Sequence, residues 1–301
     1  MKAEHSAGAA EGKRALVRCP HGSIPYLPAG MPQRRCRCGM PGPGATLSWR
    51  MLDVGDTAVT IEFGDGVDQR LLAAVAALDQ AIARQVASGR APGIVETVPT
   101  FRSLTVIYDP LRTTRSAIEA VVRAASESSQ DAIPRVGRHW RLPVCYGDQN
   151  AACGPDLEAL AAACALPSEE VLRLHSTTTY DVYMLGFLPG FAFMGDLPKV
   201  LAQPRRSEPR LRVPAGSVAT AGTLTAIYPW ESPGGWHLIG ACPVPLFSPA
   251  WAQAALLQPG DRVSFRAVDA AEYRSLLDEL AASRASPTPP DAFLVDAGAA
   301  R

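Results

Sequence analysis

Lysine is almost missing from this 301-residue chain: three occur, Lys2, Lys13 and Lys199, and the other basic residues are arginine. No Gly-Lys-Ser/Thr tripeptide is present, which excludes a Walker-type loop with a lysine on the phosphates. Lys199, in a Leu-Pro-Lys-Val turn, is the one sensible position for a Schiff-base or general-base lysine. There is no run of about 18 apolar residues, so no membrane-spanning helix is expected. No apolar stretch of the roughly 7–15 residues that mark a secretory signal lies near the start. The five histidines are scattered, without His-x-His or His-Glu-x-x-His spacing, and metal catalysis is not indicated. Cys19, His21, Cys36 and Cys38 come nearest to a ligand set, but Cys-x-Cys is tighter than the usual two-to-four-residue interval, so no metal site is expected. Seven cysteines are too sparse for a disulfide framework and too odd in number to pair fully, which points to a reducing, cytoplasmic setting.

Charge of one sign is also lacking overall, with 29 Lys+Arg against 29 Asp+Glu. That balance excludes both a nucleic-acid footprint and an acidic solvating chain. The neutrality is uneven. Residues 1–47 hold seven basic and two acidic groups, net +5, which leaves the remainder at −5. The same 47 residues carry six prolines and seven glycines and no sustained period. They read as a disordered extension, with Met40 or Met51 as alternative starts.

From there the periodicity changes along the chain. Val59, Ile61 and Phe63 alternate as a strand, ended by Gly64-Asp65-Gly66. Leu71, Val75, Leu78, Ile82 and Val86 form one face of a helix. Two strands follow, Ile94 to Val98 and Leu104 to Tyr108, then a helix that turns Ile118, Val121, Val122 and Ala125 inward, and a last strand at His139 to Val144. The order β-α-β-β-α-β suggests a ferredoxin-like unit. Two helices lie between Asp156 and His175, the second with Ser168 as its N-cap and acids in its first turn. Between 189 and 259 there are eleven prolines among short β-prone pieces, Val218–Ala221, Thr225–Tyr228, Trp236–Ile239 and, beyond them, Val263–Ala267. Such short strands with frequent turn signals predict a closed or sandwiched β-domain. A helix near Ala271–Ala282 and a loose tail complete the chain.

Three Gly/Pro/aromatic segments stand out as a site: Gly186 to Gly195, Pro204 to Ser217 and Tyr228 to His237. Glycine and proline set the backbone there, and aromatics beside them make apolar walls. Phe187, Gly190, Phe191, Tyr228 and Trp236 are the expected substrate-binding residues on these walls. Arg205, Arg206, Arg210 and Arg212 offer guanidiniums for a carboxylate or phosphate, and Arg210 with Arg212 would share one strand face. For chemistry the candidates are Glu231 as general acid or base, Ser217 as a hydroxyl ligand or turn residue, and His175 at a helix end.

At these residues the chain resembles a known family. Tyr183-Met-Leu-Gly-Phe-Leu-Pro-Gly-Phe191, Val213-Pro-Ala-Gly-Ser-Val218, Ile227-Tyr-Pro229 and Glu231-Ser-Pro-Gly-Gly-Trp236 are similar to the B-subunit of the bacterial ATP-dependent 5-oxoprolinase, also called allophanate hydrolase subunit 1. Gly55-Asp-Thr-Ala-Val59, Pro99-Thr-Phe-Arg-Ser-Leu104 and Pro259-Gly-Asp-Arg-Val263 extend the likeness over about 230 residues. The resemblance implies an α+β protein with a small α/β domain over 48–135 and a cyclophilin-like β-barrel domain with a helical insert over 136–283; the compositionally disordered extension over 1–47 lies outside it, and 284–301 read as a flexible tail. It implies a hydrolase subunit that converts 5-oxo-L-proline with ATP and water to glutamate, ADP and phosphate, inactive without its partners, a homologous C-subunit together with an A-subunit. ATP would be used by the assembled complex, its site not located in this chain; no nucleic-acid or membrane partner is expected. The same family implies two alternatives, a regulatory inhibitor of a sensor histidine kinase and the carboxyltransferase half of a urea-carboxylase-like system. Where relatives commonly carry a glutamine and an arginine, this chain has Leu224 and Ala241, which bears on its substrate.

Overall fold

The computed structural model describes residues 17–19, 22–24, 48–66, 69–128, 137–147, 153–281 and 286–295. Most of the extension expected over 1–47 lies outside these, as do His21, Cys36 and Cys38 and the side chain of Cys19. The backbone of one hairpin is described there, β1 (Val17–Cys19) antiparallel to β2 (Gly22–Ile24). Met1–Leu47 and Ser48–Arg301 are separate compact units.

The second unit begins with β3 (Arg50–Val54), β4 (Ala58–Glu62), α1 (Gln69–Ala87), β5 (Ile94–Pro99), β6 (Ser103–Tyr108) and α2 (Arg115–Ser128). The strands form an antiparallel sheet in the order β3-β4-β6-β5. Alternation turns Val59, Ile61, Leu104, Val106 and Tyr108 to one face, where they meet Val75, Leu78 and Ile82 of α1 and Ile118, Val122 and Ala125 of α2. Each large aliphatic side chain buried there contributes about 1.5–3 kcal/mol. Val86, at the end of the expected α1 stripe, is exposed.

The expected element order holds through β4-α1-β5-β6-α2, but its last strand needs correction. His139–Val144 forms a strand that pairs elsewhere, and the fourth place in the sheet is taken by β3, which precedes β4. The reason is visible in the residues. Trp140, Leu142 and Val144 are fully buried and pack into a second core, whereas Arg50–Val54 is mostly exposed, as an edge strand should be.

That second core lies inside a barrel. In chain order its parts are β7 (His139–Tyr146), α3 (Leu157–Ala163), α4 (Ser168–Thr177), β8 (Tyr180–Leu185), β9 (Ala192–Gly195), β10 (Arg210–Val213), β11 (Ser217–Ala221), β12 (Leu224–Ile227), β13 (Ser232–Gly234), β14 (His237–Ala241), β15 (Arg262–Val268) and α5 (Ala270–Ala281). Among the described residues seven strands close in the order β11-β12-β9-β8-β15-β7-β14, while β10 and β13 form a separate antiparallel pair. The short pieces expected at 218–221, 225–228, 236–239 and 263–267 correspond to β11, β12, β14 and β15, within a residue or two. Closure pairs β15 with β7 in parallel over seven residues. Asp261 fastens the entry of both strands. Its buried carboxylate accepts from Arg138 N (2.9 Å), Arg138 Nη2 (3.0 Å), Trp140 Nε1 (3.0 Å) and Gln258 N (3.0 Å).

Two further details depart from expectation. Ser168 is the first helical residue of α4, preceded by Pro167, and makes no capping bond, while Glu169 and Glu170 do occupy the first turn. Within the expected tail, the described residues 286–295 include a 3₁₀ turn at Asp291–Phe293, and Leu294 bridges to Trp140. Among the described residues no helix is long and apolar enough to cross a membrane.

Candidate functional site

Successive strand residues face opposite sides, so the barrel strands can be sorted by side. Met194, Val218, Ile227 and Ile239 join the interior, and Phe193, Ala219, Ala226 and Leu238 join a separate cluster on the outer face of β9, β12, β11 and β14. Small alanines on two adjacent strands leave room above the sheet, and aromatic rings fill it. Phe191 lies edge-on to Phe193 (4.9 Å between centroids), Tyr228 (5.2 Å) and Trp236 (6.0 Å). Phe187 meets Phe191 (5.4 Å) and Tyr228 (6.4 Å), also edge to face.

The loop that carries Phe187 is tightly held. Gly186 N donates to Phe191 O, and Phe191 N to Leu188 O. Gly190 has φ +80°, and a side chain there would stand 2.7 Å from Phe247 Cβ and 2.9 Å from Leu246 O, so glycine is required. Phe187 itself has φ +69°, a costly backbone for an aromatic residue, yet the residue is 62% exposed. An exposed ring held in a strained turn is the feature of this face that packing does not explain. All five expected wall residues, Phe187, Gly190, Phe191, Tyr228 and Trp236, are thus brought together.

The arginines divide differently from the sequence expectation. Arg210 and Arg212 do not act as one clamp. Arg210 gives two hydrogen bonds to Asp156, Nη1 to Oδ2 (2.9 Å) and Nη2 to Oδ1 (2.6 Å), and Arg206 Nη1 adds a third to Oδ1 (3.1 Å). Arg212 pairs with Glu231 through Nε (2.9 Å) and Nη2 (3.0 Å) in an exposed fork. Removal of one such solvated partner matters little, because water and salt already screen it. Arg212→Ala is therefore expected to leave the urea midpoint of unfolding unchanged, and a clear fall would show the pair to be structural. Arg205 lies over the Trp236 ring, 5.9 Å from its centroid.

The three candidates for chemistry are dispersed. Glu231 is exposed and held by Arg212. Ser217 is buried, and its hydroxyl donates to Pro214 O (2.7 Å), which makes it a turn residue. His175 is fully buried beneath the barrel wall, between Tyr146 Oη (2.8 Å) and Thr225 Oγ1 (2.9 Å) and stacked on Phe265. Its contacts are not with the aromatic face, and burial lowers its pKa to about 3, so it does not titrate near neutrality. Tyr228 is on that face. Burial raises its phenol above the usual range, and the nearby Arg205 and Arg210 charges offset only part of that rise. Among the described residues no group of His, Cys, Asp or Glu is placed to hold a metal ion.

Sequence reasoning passed over three residues here. Asp156 gave no signal beyond a helix start. Phe193 alternates with Ala192 and could have been placed by period. Phe101, in the turn between β5 and β6, packs on Tyr183 (6.2 Å) and Phe193 (5.6 Å), so the N-terminal sheet reaches the aromatic row.

Residues 49–257 match the family model described as "Carboxyltransferase domain, subdomain C and D". The chain belongs to this carboxyltransferase-domain family. Its relatives include the 5-oxoprolinase B-subunit of Bacillus subtilis, 36% identical over 244 residues, 78% of this chain and 99% of that protein. The 5-oxoprolinase B-subunit of Escherichia coli O157:H7 is 41% identical over 213 residues, 70% of this chain and 93% of that one. Among solved structures, TTHA0988 is 35% identical with a TM-score of 0.61, and the match covers 70% of this chain and 40% of that chain. The urea amidolyase of K. lactis shares the fold at 19% identity and a TM-score of 0.63, over 78% of this chain and 16% of that one.

Within this carboxyltransferase-domain chain the two departures occupy different places. Leu224 packs against the outer aromatic cluster and makes that edge of the wall apolar. Ala241 pairs with Ser217 and Cys145 on β14. Its neighbour Cys242 is buried in the barrel, which pushes the thiol up to about 12 and leaves it without thiolate character at neutrality.

Proposed function

We propose that the chain is the B-subunit of an ATP-dependent 5-oxoprolinase that converts 5-oxo-L-proline, ATP and water to L-glutamate, ADP and phosphate, and that it is inactive without a homologous C-subunit together with an A-subunit. The observation that carries this reading is the alignment with the Bacillus subtilis B-subunit over nearly its whole length. The geometry supports it: an aromatic wall beside guanidinium groups suits a small ring with one negative charge. In the same reading, residues 48–135 form a ferredoxin-like domain and 136–283 a cyclophilin-like barrel domain, the protein is cytoplasmic, and ATP is bound in the assembly.

Co-expression with the two partner subunits, followed by an assay for oxoproline-dependent ADP formation, tests the proposal. Activity is expected from the three-subunit preparation and not when this chain is omitted. Full activity from the other two subunits alone would overturn it.

A further inference from the structure

We propose that Arg205 and the Tyr228 hydroxyl form an oxyanion subsite above Trp236, which takes a carboxylate or phosphate group of the ligand. Three of the four clustered arginines are engaged by carboxylates: Arg206 and Arg210 by Asp156, and Arg212 by Glu231. Among the described residues Arg205 has no carboxylate partner. It is exposed, and its guanidinium lies on the Trp236 ring. An arginine held by a ring face keeps its N–H edge free for a planar or tetrahedral oxyanion.

The backbone brings the other parts to the same place. Arg210 is directly opposite Gly234 in the β10–β13 pair, and Arg206 N donates to Gly235 O (2.8 Å), so the arginine loop is tied to both glycines before Trp236. Tyr228 Oη abuts Gly234, since a Cβ at that position would stand 2.5 Å from it. Tyr228 is buried as a residue, with its hydroxyl at the Gly234 backbone. Arg206 Nε, on the arginine loop, and Ser232 Oγ, on β13, are buried without partners among the described residues. Buried donors are normally satisfied, and two left open on the segments that carry Arg205 and Gly234 mark a place for an acceptor.

Asp156 fixes both Arg206 and Arg210 and neutralises one of their two charges, so the loop keeps positive charge, and Arg205 is the arginine of the four with no carboxylate partner among the described residues. Glu208 on the same loop is exposed. A ligand with an apolar ring and one anionic group would lay the ring against Phe187 and Phe191 and direct the anion to Arg205 and Tyr228 Oη. For 5-oxo-L-proline this identification rests on the function proposed above; the oxyanion chemistry does not.

The test uses the full chain, alone and co-purified with its partner subunits, labelled with [13Cζ]tyrosine and titrated with three probes. These are 5-oxo-L-proline, pyrrolidin-2-one (the same ring without the carboxylate) and inorganic phosphate. The Tyr228 resonance, assigned with Tyr228→Phe, is expected to shift with 5-oxo-L-proline or with phosphate and not with pyrrolidin-2-one. Arg205→Ala should weaken the effective anion at least tenfold, and Arg205→Lys should restore part of the loss. A shift with 5-oxo-L-proline identifies the carboxylate as the source, and a shift with phosphate alone identifies a phosphoryl group. If neither anion moves Tyr228, or Arg205→Ala binds as tightly as the unmodified chain, the subsite is overturned. If the three-subunit preparation forms no ADP with oxoproline while the Arg205-dependent shift persists, the subsite stands and the proposed reaction falls.

Discussion

Asp156→Ala is expected to lose about 3 kcal/mol of folding stability and to disorganise the arginine loop. The buried carboxylate accepts from Arg206 Nη1, from Arg210 Nη1 and Nη2, and from Leu238 N (2.8 Å). Leu238 O in turn accepts from Asp156 N (2.8 Å), so the start of α3 is clasped to β14 by both backbone and side chain. Removing one partner of a buried, hydrogen-bonded ion pair costs about 3–5 kcal/mol, because the remaining charge stays unpaired. The low end applies, since the Arg206 and Arg210 side chains keep 33% and 25% of their exposure and recover some hydration. Asp156→Asn retains a carbonyl for one donor and should lose about half as much. Urea unfolding of the three proteins decides the matter: equal midpoints would mean that the clasp holds nothing. In the assembled enzyme the same substitution should raise the KM for 5-oxo-L-proline, through the displaced loop.

What the sequence could and could not show follows from the range of the signals. Alternation and helical spacing act over a few residues, so Val59/Ile61, the α1 stripe and the short strands of the barrel were readable. The aromatic wall was readable for a related reason, because Gly190 and Gly234 mark backbone where a side chain would collide with its neighbours. Pairing over long separations was not. Nothing local distinguishes His139–Val144 as a barrel strand parallel to β15 from the last strand of the first sheet. The arginines show the same limit: two residues apart on β10, Arg210 and Arg212 look equivalent, and only the fold places Asp156, 54 residues away, beneath one of them. His175 was misplaced by its position near a helix end, where a surface charge is common, while the side chain turns into the barrel.

That inward turn makes acid the strongest test of His175. Thr225 Oγ1 donates its one proton to Ala219 O (3.0 Å), so it can only accept from His175 Nε2. Nδ1 is then left with a lone pair, which accepts from Tyr146 Oη (2.8 Å). The neutral ring satisfies every contact, and burial holds its pKa at about 3. An unfolded histidine titrates near 6.5. The folded value is the depressed one, so below pH 6.5 the unfolded chain binds a proton that the folded chain refuses. Stability from this group is therefore full above pH 6.5 and is lost as pH falls toward 3, by on the order of 4–5 kcal/mol in all. His175→Gln keeps a donor and an acceptor but cannot take up the proton. Its stability should be lower at neutrality, from imperfect filling of the site stacked on Phe265, and should change much less between pH 6.5 and 4.5. Unfolding free energies measured across that interval should separate the two proteins by slope; parallel lines would show that His175 is protonated in the folded chain and that the neutral triad is wrong.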